Sequence, residues 1–413
     1  MPKFPAGLAA LNATQFLGAM NDNILKLLII FCLIQAQGSQ RAGTITALAG
    51  AAFVLPFLIF SAPAGCLADR FSKSRVTVAV KLLEVVVTAL AVAAFVFRLE
   101  YGLYAVLFLM AAQSAFFAPA KYGIIPELAP ADQLSRANGL IESFTFLAII
   151  FGTALASALT QVAAGRFWLV ACFCLIISVI GLIASQRLPN VPAVAPGRRI
   201  CFFPSEIFRT IKHVASDKWL LLSIVGLAWF WLVGAFAQLN LIGYGIQKLG
   251  LDEVQSGYLF LASSLGIGGG ALLAARISGH EVELGIVPLG AIGLVIAPLL
   301  LHIAPANLMI VLTIILFFGI SAGIFSLPLQ TFIQLRAEAE MRGEVLAASS
   351  FINWIGILIA SALTFLFSGS LGLSAGQGFN ILGVMTLLVT LSSYLYLPDF
   401  LLRSVAWCKG GHS

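Results

Sequence analysis

Apolar runs of about 20 residues, each enough to cross a hydrocarbon core about 30 Å thick, recur from Leu8 to Leu402 with short polar breaks between them. Repetition of that length constrains the chain to an α-helical membrane protein. Only 10% of its residues are charged, against about 25% in a typical soluble domain, so little polar surface is left to coat a soluble globule. The expected spans lie near 8–36, 42–65, 76–97, 102–125, 138–163 and 167–187, then 219–247, 254–276, 284–303, 307–330, 345–369 and 374–402. The amino terminus runs straight into a segment holding Asn12, Asp22 and Lys26, so it reads as a retained first span and not as a cleavable signal.

The longest polar stretch, Arg187 to Lys218, holds four prolines among basic residues and divides the chain six plus six. This predicts an N-terminal six-helix bundle over 1–187, a cytoplasmic central loop over 188–218 and a C-terminal six-helix bundle over 219–413. With the amino terminus in the cytoplasm, cytoplasmic segments hold 16 of the 23 Lys and Arg residues, among them Arg198, Arg199, Arg209 and Lys212. The opposite loops hold Arg41, Arg98, Arg166 and Lys248. The positive-inside rule then places both termini and the central loop in the cytoplasm. The formal charge of +6 is therefore a matter of orientation, and no nucleic-acid partner is implied. A weak repeat supports two halves: Gly18-Ala19 with Gly234-Ala235, Pro119 ending the fourth span with Pro328 in the tenth, and Ser143-Phe144 with Ser350-Phe351.

Ionisable groups inside spans each cost about 2.5–3.5 kcal/mol on insertion scales unless paired or wet. Asp22, Lys26, Lys81, Glu84, Lys121 and Glu142 lie within the first six spans, with no clear counterpart in the last six. At 100° per residue, Asn12, Gln15, Asp22, Asn23 and Lys26 share one face of the first helix. Asn138, Glu142, Thr145 and Gly152 form a stripe on the fifth span, and Thr77, Lys81, Glu84 and Thr88 another on the third. Uncharged counterparts are Asn240, Tyr244 and Gln247 on the seventh span and Ser349, Asn353 and Gly356 on the eleventh. Structurally, Asp22–Lys26 and Lys81–Glu84 have the spacing of internal ion pairs, and Lys81 is placed to snorkel toward the cytoplasmic end. Lys121 and Glu142 have no opposite charge three or four residues away.

The segment after the second span reads Gly65-Cys66-Leu67-Ala68-Asp69-Arg70-Phe71-Ser72-Lys73-Ser74-Arg75. It resembles the G-x-L-A-D-R-x-G-R-K loop signature of the major facilitator superfamily, with Ser72 where glycine is preferred and Ser74 where a base is usual. The resemblance implies a conformational-gating loop at Gly65, Asp69, Arg70, Lys73 and Arg75. In physical terms, the acid can cap a neighbouring helix while the bases hold the loop at the membrane face. QFLGAMNDN (Gln15 to Asn23), PAKYGIIPEL (Pro119 to Leu128) and RANGLIE (Arg136 to Glu142) together resemble the bacterial lysophospholipid transporter family. That likeness is strong over about residues 10–155 and weaker beyond, where Asn240 stands at a place some members fill with arginine. It implies inward movement of lysophosphatidylethanolamine or lysophosphatidylglycerol across the bacterial inner membrane, by alternating access, for reacylation inside. A cytoplasmic acyltransferase enters as a candidate partner. A zwitterionic headgroup needs acid and base in one cavity, which Asp22, Lys121 and Glu142 are candidates to supply, with Asn12, Gln15, Asn23, Lys26 and Asn240 as further candidate substrate-binding residues.

An enzyme is not expected. None of His213, His280, His302 or His412 opens a His-x-x-x-x-Asp pair, and no G-x-x-x-x-G-K-[ST] phosphate loop is present. The six cysteines form no C-x-x-C pair and read as small buried hydrophobes, so no metal or cofactor is expected. The alternative function is a proton-coupled exporter or carrier of drugs or small polar solutes, with Asp22 or Glu142 as the coupling acid.

Overall fold

The apolar runs become helices at all the expected spans. A computed structural model describes residues 6–38, 42–197, 205–251, 253–278 and 283–396. Arg41, Arg198, Arg199, Cys201, His280, Cys408, His412 and the end of the twelfth expected span lie outside the described residues. The helices are α1 (Ala6–Gln37), α2 (Ala42–Arg70), α3 (Lys73–Val96), α4 (Glu100–Leu128), α5 (Leu134–Val162), α6 (Phe167–Ser185), α7 (Ser205–Val214), α8 (Lys218–Leu249), α9 (Glu253–Ser278), α10 (Val287–Ile303), α11 (Leu308–Arg336), α12 (Arg342–Thr364) and α13 (Ala375–Tyr396). Among the described residues, twelve helices are long and apolar enough to cross a membrane. The protein is an all-α, multi-pass membrane protein.

Three expectations about boundaries change. The segment expected as a loop after Gly65 is mostly helix: α2 runs on to Arg70, and only Phe71 and Ser72 separate it from α3. An apolar run marks where lipid ends, whereas a helix ends where its backbone loses its partners. Pro119 and Pro328 do not end their spans; both lie inside helices that continue to Leu128 and Arg336. Neighbouring helices and local adjustments allow such prolines in membrane helices. The central stretch is not all loop, because α7 forms within it. Its Ile207 and Ile211 pack on Ala62, Ala348 and Phe351 while Phe208 stays exposed.

The described chain divides into two compact units. The first contains α1 to α4, α5 from Leu147, α6, α7 and the head of α12 through Phe351. Its core is built from Ile24, Leu25, Leu28 and Leu33 of α1 with Val87 and Ala91 of α3, Leu107 and Met110 of α4, and Cys174 and Ile177 of α6. The second contains α5 through Phe146, α8 to α11, and α12 from Ile352 with α13. In the second unit α9 and α11 approach backbone to backbone. A Cβ on Gly266 would come within 2.9 Å of Gly319 Cα, and one on Gly323 within 2.6 Å of the Ala271 nitrogen. Small residues replace the hydrophobic drive that lipid removes, letting dispersion act at short range. Gly250, at φ 65°, caps α8 in the left-handed conformation that glycine adopts without penalty.

Candidate functional site

Of the charged residues expected inside spans, Asp22 and Lys26 of α1, Lys81 and Glu84 of α3 and Lys121 of α4 belong to the first unit. Lys81 and Glu84 pair on α3, and both are almost fully buried. Snorkelling by Lys81 is therefore corrected: its ammonium is held between glycines of two helices. A Cβ on Gly18 of α1 would sit 2.6 Å from Lys81 Nζ, and one on Gly181 of α6 would sit 3.2 Å from its Cε. Only residues without a side chain leave room for it. Asn21 Nδ2 donates to Glu84 Oε1 at 3.3 Å, so α1 closes over the pair.

Asp22 and Lys26 are not held by the ion pair their spacing suggests. Ser114 Oγ donates to Asp22 Oδ2 at 2.7 Å, and Gln113 Nε2 donates to that hydroxyl at 2.8 Å, so a polar relay on α4 engages the acid. Lys26 Nζ lies 5.2 Å from the centre of the Phe53 ring on α2. An aromatic face attracts a cation without requiring a second buried charge. Asp22 Oδ1 and Asn21 Oδ1, at consecutive positions of α1, are buried and accept no hydrogen bond among the described residues. Elsewhere on α1, Gln15 Nε2 donates to Asn12 Oδ1 at 3.0 Å and Asn23 Nδ2 to the Ala19 carbonyl at 2.8 Å. Lys121 Nζ lies 4.4 Å from the centre of the Tyr122 ring.

The remaining candidates belong to the second unit. Glu142 Oε1 accepts from Ser326 Oγ of α11 at 2.9 Å. One turn earlier, Asn138 and Gln334 exchange amide hydrogen bonds of 2.7 and 3.0 Å. Asn240 Nδ2 donates to the Ala375 carbonyl at 2.8 Å, and Tyr244 Oη donates to the Leu301 carbonyl at 2.7 Å. Gln247 Oε1 accepts from the Ala375 nitrogen at 2.8 Å. The stripe on α8 thus ties α8 to α10 and α13. Asn353 is buried, and Gly356 lies so near the Ala228 carbonyl oxygen that a Cβ would meet it at 2.7 Å; Ser349, also buried, lies in the head of α12 that belongs to the first unit.

The residues of the gating signature separate by role. Asp69 is fully buried, and its two oxygens accept from the backbone nitrogens of Gly343 (2.7 Å) and Glu344 (3.0 Å) in the first turn of α12. Gly65 and Gly343 make that approach possible, since a Cβ on Gly343 would fall 2.6 Å from Asp69 Oδ1 and 2.7 Å from the Gly65 carbonyl oxygen. Lys73 is not a base facing the membrane surface. It is fully buried and pairs with Glu127 of α4 at 2.5 Å. Arg75 is exposed, and Arg70 lies over the Phe71 ring. Ser74 Oγ donates to the Pro189 carbonyl at 2.6 Å and Ser72 Oγ to Asn190 Oδ1 at 3.3 Å. Both serines tie the start of the central stretch to α3.

Three partners were not singled out by sequence. Glu344 fell just outside an expected span, yet it is buried, accepting from Cys66 Sγ at 3.3 Å and Thr210 Oγ1 at 3.5 Å. An acid in the first turn of a helix was the signal. Ser114 was visible as part of a polar pair within an apolar run, and Asn21 as the neighbour of Asp22. Cys66 is thus an engaged polar group as well as a buried one, while Cys32, Cys172 and Cys174 are free thiols.

Residues 11–361 match the family model of the Major Facilitator Superfamily. Two solved structures share the fold: the human organic anion transporter MFSD10, with a TM-score of 0.79 at 16% identity over 95% of this chain and 100% of that one, and the E. coli fucose:proton symporter FucP, with a TM-score of 0.74 at 15% identity over 94% and 98%. At such identity they speak to architecture alone. The twelve spans, the Asp69 cap and the family match together define a Major Facilitator Superfamily transporter, not an enzyme. Within that superfamily the chain belongs to the lysophospholipid transporter family. The Lysophospholipid transporter LplT of Cronobacter sakazakii is 30% identical over 81% of this chain and 82% of its own length. That of an Enterobacter species is 28% identical over 80% and 81%.

Proposed function

We propose that the protein carries lysophospholipid, chiefly lysophosphatidylethanolamine or lysophosphatidylglycerol, inward across the bacterial inner membrane by alternating access, for reacylation in the cytoplasm. Both termini then face the cytoplasm, where a partner acyltransferase would meet the product. The N-terminal bundle binds the headgroup and the C-terminal bundle accommodates the tail. The observation that carries this reading is the pair of buried acceptors, Asp22 Oδ1 and Asn21 Oδ1, which receive no hydrogen bond among the described residues. An ammonium brings three donors and a positive charge to two such oxygens, and a buried carboxylate is stabilised most by a charged donor. Lys26 and Lys121 of the same unit supply positive charge for a phosphate, and Glu142 of the second unit is a separate candidate acid. The family membership supports the same substrate class, since the relatives are named for lysophospholipid transport.

The test is uptake of labelled lysophosphatidylethanolamine into proteoliposomes, against protein-free vesicles and against Asp22→Asn and Glu142→Gln proteins. Transfer that the folded variants lose supports the reading. Transfer at the normal rate by both variants removes the headgroup assignment. Absence of transfer by folded wild-type protein, with uptake of a small solute driven by a proton gradient, replaces the reading with a proton-coupled carrier.

A further inference from the structure

The first unit carries an open bowl of about 820 Å³ at the end of its helices away from Asp69, where α1 and α3 finish and α4 and α6 begin. Its volume is within the usual size of a small-molecule site, roughly 300–1,000 Å³. Leu33, Phe95 and Phe167 are buried and give it an apolar floor, while Arg98, Glu100 and Arg166 also line it, with both arginines exposed. None of these residues belongs to the candidate site described above.

An aromatic stack brings the two arginines to one place. Phe95 and Phe167 lie with ring centroids 6.1 Å apart and planes at 22°. Arg98 follows Phe95 by three residues, its backbone nitrogen donating to the Phe95 carbonyl at 3.4 Å, and Arg166 immediately precedes Phe167. The stack holds the two turns side by side, and both guanidinium groups stand on long stems that line the same space. Neither arginine side chain makes a hydrogen bond or ion pair among the described residues. Glu100 is oriented from α1, since Gln37 Nε2 donates to its Oε2 at 2.8 Å.

The same two turns carry the backbone strain. Among the described residues, the non-glycine residues in the left-handed region are Arg98, at φ 53°, and Ala164, at φ 48°. A residue with a Cβ resists that conformation and keeps it only where its surroundings over-determine it, commonly at binding sites. Two guanidinium forks match the oxygens of a phosphate. With Glu100 they make two positive charges and one negative, which complements the single negative charge of a phosphodiester. The body attached to that phosphate is apolar, because the floor is apolar and exposed Val96, Phe97 and Leu99 flank the bowl. Exposed Tyr101 and Trp168 lie at the same level, where aromatic rings settle among lipid headgroups.

We propose that this bowl is a docking site for an anionic glycerophospholipid, with the phosphate between Arg98 and Arg166 and the chains along the apolar floor and flanks. The site rests on the membrane fold and the bowl, and it does not require lysophospholipid to be the cargo. A soluble phosphodiester offers the arginines the same oxygens, so the two sources are separated by the acyl chains.

Native mass spectrometry of the full-length protein, titrated with phosphatidylglycerol, tests this. Arg98→Gly removes the guanidinium and gives the turn a residue that takes a positive φ without penalty, so its melting temperature is expected to stay at or above that of the wild type. Arg166→Gln keeps a polar side chain on the second turn. Each is expected to weaken phosphatidylglycerol binding about tenfold, as loss of a charged hydrogen bond requires. Diacylglycerol, which lacks the phosphate, is expected to bind wild type about tenfold more weakly for the same reason. Glycerophosphoglycerol is the headgroup without chains: its failure to compete identifies a lipid, and competition at equal concentration identifies a soluble phosphodiester and overturns the lipid assignment. Unchanged affinity in both folded arginine variants, or equal binding of diacylglycerol, overturns the site. A lower melting temperature of Arg98→Gly with unchanged affinity assigns Arg98 to bracing the turn and overturns its role here. Asp22→Asn protein is expected to bind phosphatidylglycerol as wild type does even where its uptake is lost, which keeps this outcome separate from that of the transport reading. A loss equal to that of the arginine variants would move the lipid to α1 and overturn the bowl.

Discussion

Asp69 and Gly343 are 274 positions apart in the chain, yet the Gly343 backbone nitrogen donates to Asp69 Oδ1 at 2.7 Å. The second carboxylate oxygen takes the next nitrogen, that of Glu344. An acid from the end of α2 thereby satisfies two of the orphan donors at the start of α12 and meets the positive end of that helix. The contact joins the signature segment to a helix that sequence spacing does not connect with it.

Asp69→Asn keeps one acceptor and sets an amide hydrogen against the other nitrogen. A loss of about 1–2 kcal/mol from the cap is expected. Gly343→Ala is expected to do equal damage by sterics, since its Cβ would enter both the carboxylate and the Gly65 carbonyl. Thiol labelling of a cysteine placed at Ala347 reads this directly: both variants label faster than the parent, with charge retained in one and lost in the other.

Glu344 holds Cys66 and Thr210, and through Thr210 it holds α7. Glu344→Ala removes the acceptor from two buried donors, whereas Glu344→Gln keeps an oxygen for one of them. Hydrogen exchange over residues 205–214 is expected to rise about tenfold in the alanine variant and by less in the glutamine variant. Equal protection in all three proteins would show that the apolar contacts of Ile207 and Ile211 hold α7 alone.

The Lys81–Glu84 pair makes a prediction of non-additivity. Breaking a buried pair from one side costs about 3–5 kcal/mol because the other charge is left uncompensated. Lys81→Met is therefore expected to lower thermal stability in detergent sharply, and adding Glu84→Gln should recover most of the loss. If the double variant were as unstable as the single one, packing of the lysine stem between Gly18 and Gly181 would be the dominant contribution.

Asp217 caps α8, accepting from the Trp219 and Leu220 nitrogens and from Arg336 Nε at 2.6 Å. Burial alone would raise its pKa, but the Arg336 hydrogen bond and charge, with the two backbone donors, hold it below the ordinary carboxylate value. A depressed folded pKa stabilises above the unfolded value, and that stabilisation is lost as pH falls through the folded one. Melting of wild type and Asp217→Asn should differ by a constant amount between about pH 5 and 8 and converge below about pH 4. Arg336 is 57% exposed, so moderate salt is expected to narrow the gap.

Span number and position were legible because the hydropathy of about 20 consecutive residues is a local property. The polar face of α1 was legible for the same reason. What escaped was the identity of partners: spacing paired Asp22 with Lys26, whereas the fold gives Asp22 to Ser114 and Lys26 to a ring on α2. Helical periodicity says which residues share a face and nothing about what faces them. Glu344 escaped because hydropathy places a helix end at the membrane edge, while the cap from Asp69 starts α12 before the apolar run.

The relay on α4 separates structural from functional roles for Asp22. Ser114→Ala removes the donor to Oδ2 but leaves the carboxylate charged, so the acid can still meet a cationic headgroup, less well oriented. Asp22→Asn removes the charge and leaves the relay with an acceptor. If the acid only braces α1 against α4, Ser114→Ala and Asp22→Asn should lower melting temperature and uptake together. If it receives an ammonium, Asp22→Asn should reduce uptake of lysophosphatidylethanolamine about 10- to 100-fold, as loss of a charged hydrogen bond worth about 1.5–3 kcal/mol requires. Ser114→Ala should then reduce uptake only a fewfold, at similar cost in stability. Lysophosphatidylglycerol, which has no amine, is the internal control: its uptake should suffer less from Asp22→Asn than that of the ethanolamine lipid. Equal losses for both lipids would place Asp22 in the conformational cycle and not in headgroup binding.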